Sequence, residues 1–455
     1  MEKKPKLNLF DFTMIVVSLV IGMGIFRTPV NVAQAVPTPF IFFAAWIAGG
    51  LIALCGALTY AEIGSRFPVV GAYYKIFSYC YHPSVAFAIN CIILVSNAAS
   101  LAGVALIGAE YITQVIFPGR ADVQFIQIII AILSITLFYG VNLLGLKMSA
   151  KTQNVLTIIK IALVLLLISP LFFATGSTPS VLPQLVSNPT LSEYLKAFGI
   201  GLVAVSFTYG GYQQTINFGA DVQDPRKNTP RGIFIGIFII ISLYLLINYA
   251  YFKVIGFENL KNAKGIAAIM ASHVFGDAAG RILSVLLFLS VLAYVNVLLM
   301  SNPRVMYAMS EDKVLPAMFL KKNTKTNVLV TSLSVFAAIC VIIVFWAKEF
   351  DEILSFTIFL DCIGMAFSAA TIFILRKRTA DLDATKIYTM KLYPVLPLIF
   401  IAAYIFVALS IAIDKPNTAL TALAVLAAFI ILYFVTNRGS KNFDIANNSN
   451  DAIQD

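Results

Sequence analysis

The chain has 455 residues, of which 60% are hydrophobic and only 12% are charged, and its mean hydropathy is +0.89. Soluble domains carry about 25% charged residues, so this composition excludes a soluble globular protein and indicates a polytopic membrane protein. The formal net charge is +10, but the basic residues lie in the loops between apolar runs. This placement favours positive-inside topology over nucleic-acid binding as the reason for the charge.

The first apolar run, residues 12–36, is long enough to cross a bilayer but contains Gly22 and Gly24. Each glycine costs roughly 1 kcal/mol relative to alanine in a helix, so a break is expected here. Lipid cannot satisfy the backbone groups that a break frees, and the two new helix ends carry opposite partial charges. Such a pair suits a zwitterionic ligand. The alternative is that the glycines only allow neighbouring helices to pack closely.

The same region superficially resembles a signal peptide. Lys3, Lys4 and Lys6 precede the run, and Ala33-Gln34-Ala35 follows it. A signal peptide has an apolar core of about 7–15 residues, and this run is longer and is followed by many others. The expectation is therefore an uncleaved first span.

Length and hydropathy predict about twelve membrane spans along the chain. They cover residues 12–36, 40–63, 84–117, 124–144, 152–174, 195–221, 232–256, 279–301, 327–346, 353–375, 393–413 and 418–436. On the side shared with the N-terminus lie 22 of the 32 Lys and Arg residues, and eight lie on the other side. This asymmetry predicts that both termini are cytoplasmic in a multi-pass protein of the cell membrane.

Spans 1–5 and 6–10 form two halves of five, and an odd number of crossings starts the second half on the opposite face. The first span of the second half is also interrupted, at Gly210 and Gly211 within Phe207–Tyr212. Interrupted spans at corresponding positions of two halves are the best sequence pointer to a transporter site. The predicted organisation is a cytoplasmic N-terminus 1–11, repeats 12–174 and 195–375, two peripheral helices 393–436, and a disordered cytoplasmic tail 437–455.

Other features limit the chemistry that the chain can perform. The five cysteines form no C-x-x-C pair and are expected to be buried free thiols. His82 and His273 are isolated, so neither a metal site nor a cofactor site is expected. The chain contains no G-x-x-x-x-G-K-[ST] motif that would indicate ATP drive. In the loops, Pro316 and nearby lysines predict a short interfacial helix within 302–326.

Lys160 is the most unusual charge, because it lies within the fifth span, nine residues beyond Lys151. Nine helical residues correspond to roughly 14 Å, too deep for an ordinary interfacial lysine. A charge at that depth costs roughly 2.5–3.5 kcal/mol and usually marks a functional site. The alternative is a side chain that extends to the membrane surface. Asp361 and Glu110 are further intramembrane charges, for which structural hydrogen bonding is the favoured interpretation.

Four passages resemble motifs of the amino acid–polyamine–organocation superfamily, and within it the L-type amino acid transporters. They are Gly22-Met23-Gly24-Ile25-Phe26; Ala61-Glu62-Ile63-Gly64-Ser65-Arg66-Phe67-Pro68 with Gly71-Ala72-Tyr73; Phe207–Tyr212 with Asp224-Pro225-Arg226-Lys227-Asn228-Thr229-Pro230; and Leu375-Arg376-Lys377-Arg378 with Tyr393-Pro394-Val395-Leu396-Pro397. The four occur in the family's order and extend over nearly the whole chain.

The resemblance implies an all-α polytopic membrane protein of the LeuT-type fold, with a 5+5 inverted repeat plus two peripheral helices. It also implies a substrate site between spans 1 and 6. The carboxylate is expected on the N–H groups of Met23 and Gly24. The remaining implied binding residues are Val20, Ile21 and Ile25 in span 1, Phe207, Gly210, Gly211 and Tyr212 in span 6, Asn97 and Ser100 in span 3, and Asn296 in span 8. Phe207 matches the aromatic gate, and Gly22 and Lys160 are implied in coupling, the lysine standing where sodium-coupled relatives hold Na⁺.

The sequence departs from the family pattern at three positions. Met23 replaces a small residue, so a side-chain hydroxyl for the substrate carboxylate is lost. Tyr212 replaces the usual tryptophan. Arg27 follows the first motif, where many relatives carry an aliphatic residue. Its favoured interpretation is a vestibule arginine extending outward, and the alternative is an added attraction for the substrate carboxylate.

The leading functional hypothesis is a sodium-independent transporter of neutral L-amino acids that works as an exchanger by alternating access. The alternatives are a proton-coupled symporter that uses Lys160 and, from a different class, a membrane sensor of amino acids. An integral-membrane enzyme is disfavoured, because the spans show no paired acids, histidine cluster or nucleophile constellation. Heteromeric relatives join a heavy chain through a cysteine between spans 3 and 4. Residues 118–123 contain none, so no disulfide-linked heavy chain is expected.

Overall fold

A computed structural model describes residues 6–118, 120, 123–173, 190–263, 265–346, 350–383 and 385–436. The helices are α1 (Leu9–Val20), α2 (Thr28–Ala35), α3 (Pro39–Arg66), α4 (Ala72–Cys80), α5 (Pro83–Ile116), α6 (Gln124–Leu143), α7 (Leu146–Ile168), α8 (Pro170–Phe173), α9 (Leu191–Tyr209), α10 (Pro225–Ile255), α11 (Phe257–Asn262), α12 (Ile266–Phe275), α13 (Ala279–Glu311), α14 (Val330–Trp346), α15 (Phe350–Arg378), α16 (Val395–Asp414) and α17 (Pro416–Thr436). Every predicted span coincides with one of these helices, with a broken pair of them or, for 195–221, with α9 and the 3₁₀ segments Tyr212–Asn217 and Gly219–Asp221. The predicted tail 437–455 lies outside the described residues.

Local sequence signals fix where the first helices begin. Asn8 and Asp11 form a capping box at the start of α1, with each side chain accepting a backbone N–H of the other residue. The Thr38 hydroxyl caps α3 by accepting the N–H of Ile41. Prolines occupy the first turns of α3, α5 and α10, where their missing N–H removes no helical hydrogen bond.

The helices are long and apolar enough for a membrane-spanning bundle. Nine described helices, or described parts of them, have at least 18 residues and the hydropathy of a membrane span. The shorter α1 is half of the broken first span. The last two helices are peripheral as predicted, since only 22% of the apolar window of α16 and 11% of that of α17 is buried. The remaining surface of these two helices is suited to contact lipid.

Helix packing follows the predicted two-fold repetition. The two most extensive helix contacts are those of α13 with α5 and of α10 with α3. The first joins span 8 to span 3, and the second joins span 7 to span 2. The contact of α1 with α10 joins spans 1 and 7, and its counterpart is the contact of α9 with α3, which joins spans 6 and 2. The contact of α13 with α7 joins spans 8 and 5, and its counterpart is the contact of α15 with α5, which joins spans 10 and 3. Exchanging the two halves therefore reproduces the packing, as in a LeuT-type inverted repeat.

The connecting segments differ from the sequence expectation. The short interfacial helix predicted within 302–326 is reduced to a single 3₁₀ turn, Ala317–Leu320, directly after Pro316, because α13 continues to Glu311. Pro303 lies inside α13 rather than ending it, because the helix is buried against its neighbours there and packing maintains it. All five cysteines are free, and four of them are buried, as predicted.

The span-2 motif forms a buried ionic cluster at the end of the bundle where α1 begins, which we call the N-terminal face. The Glu62 carboxylate is fully buried and accepts hydrogen bonds from Arg66 at 2.7 Å and from Arg376 at 2.7 and 2.8 Å. It also accepts the N–H of Met390 at 2.9 Å. The Arg376 guanidinium stacks 3.6 Å from the ring centroid of Tyr393. Two of the sequence motifs thus meet at one carboxylate, which joins α3 to α15 and the segment before α16.

Candidate functional site

The first span breaks where the glycines predicted. The helix α1 ends at Val20, Ile21 and Gly22 are extended, and a 3₁₀ turn runs from Met23 to Phe26 before α2. No side chain caps this turn, and within the described residues no acceptor contacts the N–H groups of Met23 and Gly24. Gly22 and Gly24 are half-buried, whereas Ile25 is fully buried. The break therefore presents unpaired N–H donors where a bilayer offers no water to satisfy them.

The sixth span breaks in the same way. The helix α9 ends at Tyr209, and a 3₁₀ segment begins at Tyr212. Between them Gly211 has φ of +109°, a backbone conformation that an L-residue with a side chain rarely adopts. Its N–H is satisfied locally by the Gln213 side-chain oxygen at 2.9 Å. Gly210 and Gly211 are both half-buried.

The two breaks lie directly against each other. A Cβ atom at Gly211 would collide with the carbonyl oxygen of Leu19, and one at Gly24 would lie 3.1 Å from the Thr208 hydroxyl oxygen. The Tyr244 hydroxyl lies between the two spans, 3.1 Å from the Val20 carbonyl oxygen and 3.4 Å from that of Thr208. Thr208 in turn contacts the hydroxyl of Thr28 at 2.8 Å. The absence of side chains on two glycines is what allows this close approach.

Lys160 joins the first break to span 5. Its side chain is fully buried, and its Nζ atom donates to the carbonyl oxygen of Ile21 at 2.6 Å. Two further acceptors are the carbonyl and hydroxyl oxygens of Ser18, both at 3.4 Å. An ammonium buried in a membrane is stable only when acceptors surround it, and here all three come from span 1. The side chain does not extend to the membrane surface.

A polar network surrounds this lysine. Gln153 donates to the Ser18 hydroxyl at 2.6 Å, and its oxygen accepts from Asn296 at 2.7 Å. The Asn296 oxygen accepts from Asn142 at 2.9 Å. Spans 1, 4, 5 and 8 are therefore tied by amide and hydroxyl groups. Span 8 reaches Lys160 indirectly, through Gln153 and through the Ser18 hydroxyl, which donates to the Ala293 carbonyl oxygen at 3.5 Å. The Asn296 amide hydrogen-bonds to Asn142 and Gln153, so it links neighbouring helices rather than facing a ligand.

The two span-3 candidates differ in their surroundings. Asn97 exchanges hydrogen bonds with Gln214 at 3.0 and 3.3 Å and donates to Asn302 at 2.7 Å. It thereby fixes the 3₁₀ segment of span 6 to spans 3 and 8. Ser100 is half-buried and lies 2.9 Å from the Tyr294 hydroxyl.

Two aromatic candidates of span 6 have different outcomes. The Phe207 backbone belongs to α9, but its side chain lies outside the described residues, so its gating role stays a prediction. The Tyr212 ring is fully buried against Tyr60, with ring centroids 5.9 Å apart, and its hydroxyl lies over Gly56. This side chain therefore packs onto span 2 and does not line the space at the break.

The other intramembrane charges stand apart from the breaks. Arg27 is exposed beside Tyr111 of α5, as expected for an arginine that extends outward. Glu110 is exposed, and Asp361 is half-buried near Tyr73 and Tyr294. Within the described residues neither carboxylate makes the side-chain hydrogen bonds that the sequence interpretation expected.

Sequence reasoning missed Ser18, Gln153, Thr208 and Tyr244. A signal existed for one group: Gln153, Thr157 and Lys160 are spaced by four and three residues and therefore share one face of a helix. Tyr244 gave no such signal, because a single tyrosine in an apolar span is ordinary.

A polytopic bundle in which two broken helices meet is typical of a transporter. The comparisons with known proteins identify the family. The chain belongs to the amino acid permease family, since the family's sequence profile matches residues 7–436. It lies within the amino acid–polyamine–organocation superfamily and is similar to its L-type transporters, so it is a multi-pass amino acid transporter and not an enzyme.

Three relatives show the range of similarity. The serine/threonine exchanger SteT of Bacillus subtilis (strain 168) is 26% identical over 448 residues, which is 96% of this chain and 98% of the relative. The large neutral amino acids transporter small subunit 2 of Homo sapiens is 24% identical over 95% of this chain and 80% of its own length. The cystine/glutamate transporter of Homo sapiens is 25% identical over 84% of this chain and 76% of its own length.

Proposed function

We propose that this protein is a sodium-independent exchanger of neutral L-amino acids that binds its substrate between the two helix breaks. The observation that supports this proposal is the contact of the Lys160 ammonium with the Ile21 carbonyl oxygen at 2.6 Å. A fixed positive charge at freed carbonyl groups performs the electrostatic work that a bound sodium ion would otherwise perform. Transport then needs no sodium gradient, and exchange of substrates supplies the drive.

The backbone groups at the breaks suit the two charges of an amino acid. The substrate carboxylate binds the N–H groups of Met23 and Gly24, at the positive end of a 3₁₀ turn. The ammonium binds carbonyl groups of Val20, Ile21 and Gly210, since each carbonyl oxygen has two lone pairs and can accept a second donor. Ile25, Gly211 and Ser100 complete the surroundings, with Phe207 as the gate.

The side chains recorded against the breaks also favour a neutral substrate. Among the described residues, Thr208, Gln213 and Tyr244 lie against the breaks beside Lys160, and these three carry no charge. A positively charged substrate side chain would have to be buried without an opposite charge, which is costly in a low dielectric. A negatively charged one would meet the Lys160 ammonium, which already donates to Ile21 and Ser18. The SteT exchanger, with serine and threonine in its name, shows that a related chain handles small neutral amino acids.

Counterflow in proteoliposomes tests this proposal. Liposomes preloaded with an unlabelled neutral amino acid should accumulate the labelled amino acid equally well in sodium and in choline buffer. N-acetyl and methyl-ester derivatives should compete poorly, because each lacks one of the two charges that the breaks recognise. Binding without counterflow would instead indicate a sensor, and equal competition by the derivatives would remove the helix-break site.

Proton-coupled symport is the second candidate, and the complete burial of Lys160 at the first break favours it. If the lysine releases its proton in each cycle, an imposed pH gradient drives uptake into empty liposomes. An exchanger whose lysine stays charged responds only to the amino acid on the opposite side.

We further propose the organisation of the chain in the membrane. The repeats extend over 12–174 and 195–375, α16 and α17 lie outside them, and the N-terminal face is cytoplasmic because most Lys and Arg residues lie on that side. The chain works without a disulfide-linked heavy chain, because residues 118–123 contain no cysteine. Residues 1–11 and 437–455 are the cytoplasmic ends.

A further inference from the structure

A cavity of about 220 Å³ opens at the N-terminal face, away from the helix breaks. It lies between α13, the turn from α6 to α7, and the start of α14. One part of its wall is apolar and includes Leu146, Leu299 and Leu333. The other part is polar and includes Asn142, Asp221 and Arg304. A hollow that combines apolar wall with convergent polar groups can bind a small polar molecule.

Two charged residues of the wall, Asp221 and Arg304, belong to a clamp that joins three spans, whereas a third, Lys322, donates to the Tyr307 hydroxyl. The Arg304 Nε atom of α13 lies 2.6 Å from the Asp221 carboxylate, and its guanidinium lies 4.4 Å from the ring centroid of Phe218. The Asp221 carbonyl oxygen accepts the N–H of Leu7 at 2.7 Å, and the Leu7 carbonyl oxygen accepts the N–H of Gln223 at 2.9 Å. Arg304 therefore helps to hold the segment after the second break, and that segment holds the start of span 1.

The cavity is also connected to Lys160 through the polar network. Asn142 and Ser149 belong to the cavity wall, and both donate or accept hydrogen bonds with Asn296. Asn296 donates to Gln153, which contacts the Ser18 hydroxyl beside Lys160. An occupant of this cavity thus contacts both the clamp and the network around the first break.

The wall chemistry indicates the class of occupant. Arg304 uses Nε and Nη1 for Asp221 and for the Met300 carbonyl oxygen, while within the described residues no acceptor contacts Nη2. A guanidinium in this position recognises a carboxylate by paired hydrogen bonds. Asp221 competes with such a carboxylate for Arg304, and the apolar part of the wall can accept a side chain. The volume corresponds to roughly seven water molecules at ≈30 Å³ each, which is room for one amino acid.

We propose that this cavity is a second amino acid site, in which the substrate carboxylate takes Arg304 away from Asp221 and so loosens the clamp. The inference rests on the proposed function, because its occupant is the transported amino acid. The clamp lies on the N-terminal side, where it must separate when that side opens. A site whose occupation weakens the contacts among Leu7, Asp221 and Arg304 makes opening depend on the presence of that amino acid.

Equilibrium dialysis of the detergent-purified full chain tests the proposal, with tritiated L-serine and L-leucine in parallel. The wild type should bind two equivalents per chain. Leu146→Trp, which fills the cavity, should bind one. Met148→Trp is the matched control, because Met148 lies two residues further on the same helix with 46% of its surface exposed. It should bind two equivalents. Gly24→Val, which blocks the helix-break site, should keep one equivalent.

Two variants of the clamp distinguish recognition from folding. Asp221→Asn removes the competitor for Arg304, so binding in the cavity should become tighter by about fivefold, the value of a partly exposed ion pair. Arg304→Gln should abolish cavity binding while the helix-break equivalent remains. A purely structural ion pair predicts weaker binding in both variants, and that result would overturn the proposal.

The remaining outcomes separate this inference from the proposed function. A wild type that binds one equivalent, lost in Gly24→Val, would overturn the cavity site and leave the helix-break exchanger intact. Two equivalents that are unaffected by Leu146→Trp and by Asp221→Asn would also overturn it. Absence of any binding to the wild type, with both labelled amino acids, would remove both proposals.

Discussion

Replacing Lys160 is the sharpest perturbation that the structure offers. The ammonium makes its short contact, 2.6 Å, with the Ile21 carbonyl oxygen, and that oxygen belongs to the broken part of span 1. Hydrogen bonds that involve a charged group contribute about 1.5–3 kcal/mol. If this contact stabilises span 1 in its closed position, its loss should slow exchange by roughly 10- to 150-fold. Substrate affinity should change less, because Met23 and Gly24 remain in place.

Two substitutions separate the charge from the volume of the side chain. Lys160→Met keeps most of the buried methylene packing and removes the ammonium, whereas Lys160→Ala also leaves a cavity, which costs stability in addition. Both should slow counterflow, and Lys160→Ala should also lower the melting temperature further. Lys151→Met is the matched control, because Lys151 is exposed at the start of the same helix.

The assay is counterflow of labelled amino acid in proteoliposomes, measured for each variant in sodium and in choline buffer, with affinity taken from binding to the purified protein. Wild-type exchange should be the same in both buffers. Normal exchange by Lys160→Met would refute the reasoning, as would a wild type that requires sodium. A Lys160→Met variant that regains activity only in sodium would show that the ion can take the place of the ammonium.

Three further predictions concern the breaks, the ionic cluster and the subunit composition. Gly24→Val should abolish substrate binding, because the valine side chain would press on Thr208, while the protein still elutes as a folded monodisperse species. The control Gly140→Val, whose added Cβ has nothing within 4 Å, should bind substrate normally. Unchanged substrate affinity in Gly24→Val would exclude Gly24 from the site. Glu62→Ala should lower stability by about 3–5 kcal/mol in thermal unfolding, because it removes the carboxylate that pairs with buried Arg66 and half-buried Arg376. Lys386→Ala, from a pair in which the Lys386 side chain is 70% exposed, should leave the melting temperature nearly unchanged, and equal melting temperatures of the two variants would contradict this. A non-reducing gel of native membranes should show this chain at its own mass, and a covalent heterodimer that reducing agent separates would refute the absence of a disulfide-linked partner.

The sequence alone determined the membrane class, the helix positions and the two breaks. Apolar runs of about 20 residues have one physical solution in a bilayer, since a helix satisfies every backbone group within the segment. The glycine pairs identified the breaks because the helix penalty of glycine is local. The depth of Lys160 followed from counting residues. Each of these inferences depends on neighbours along the chain, which is why it could be made without coordinates.

Tertiary structure decided which residues meet at the breaks. The contact of Gly211 with Leu19, the Tyr244 hydroxyl between two spans, and the use of Asn296 as a tie all join residues far apart in the chain. Hydropathy assigns a polar residue to a span but not to a face of the assembled bundle. For this reason Tyr212, predicted to line the site, lies instead against Tyr60. The cavity beside Arg304 could not be predicted either, because its wall takes residues from five segments that only packing brings together.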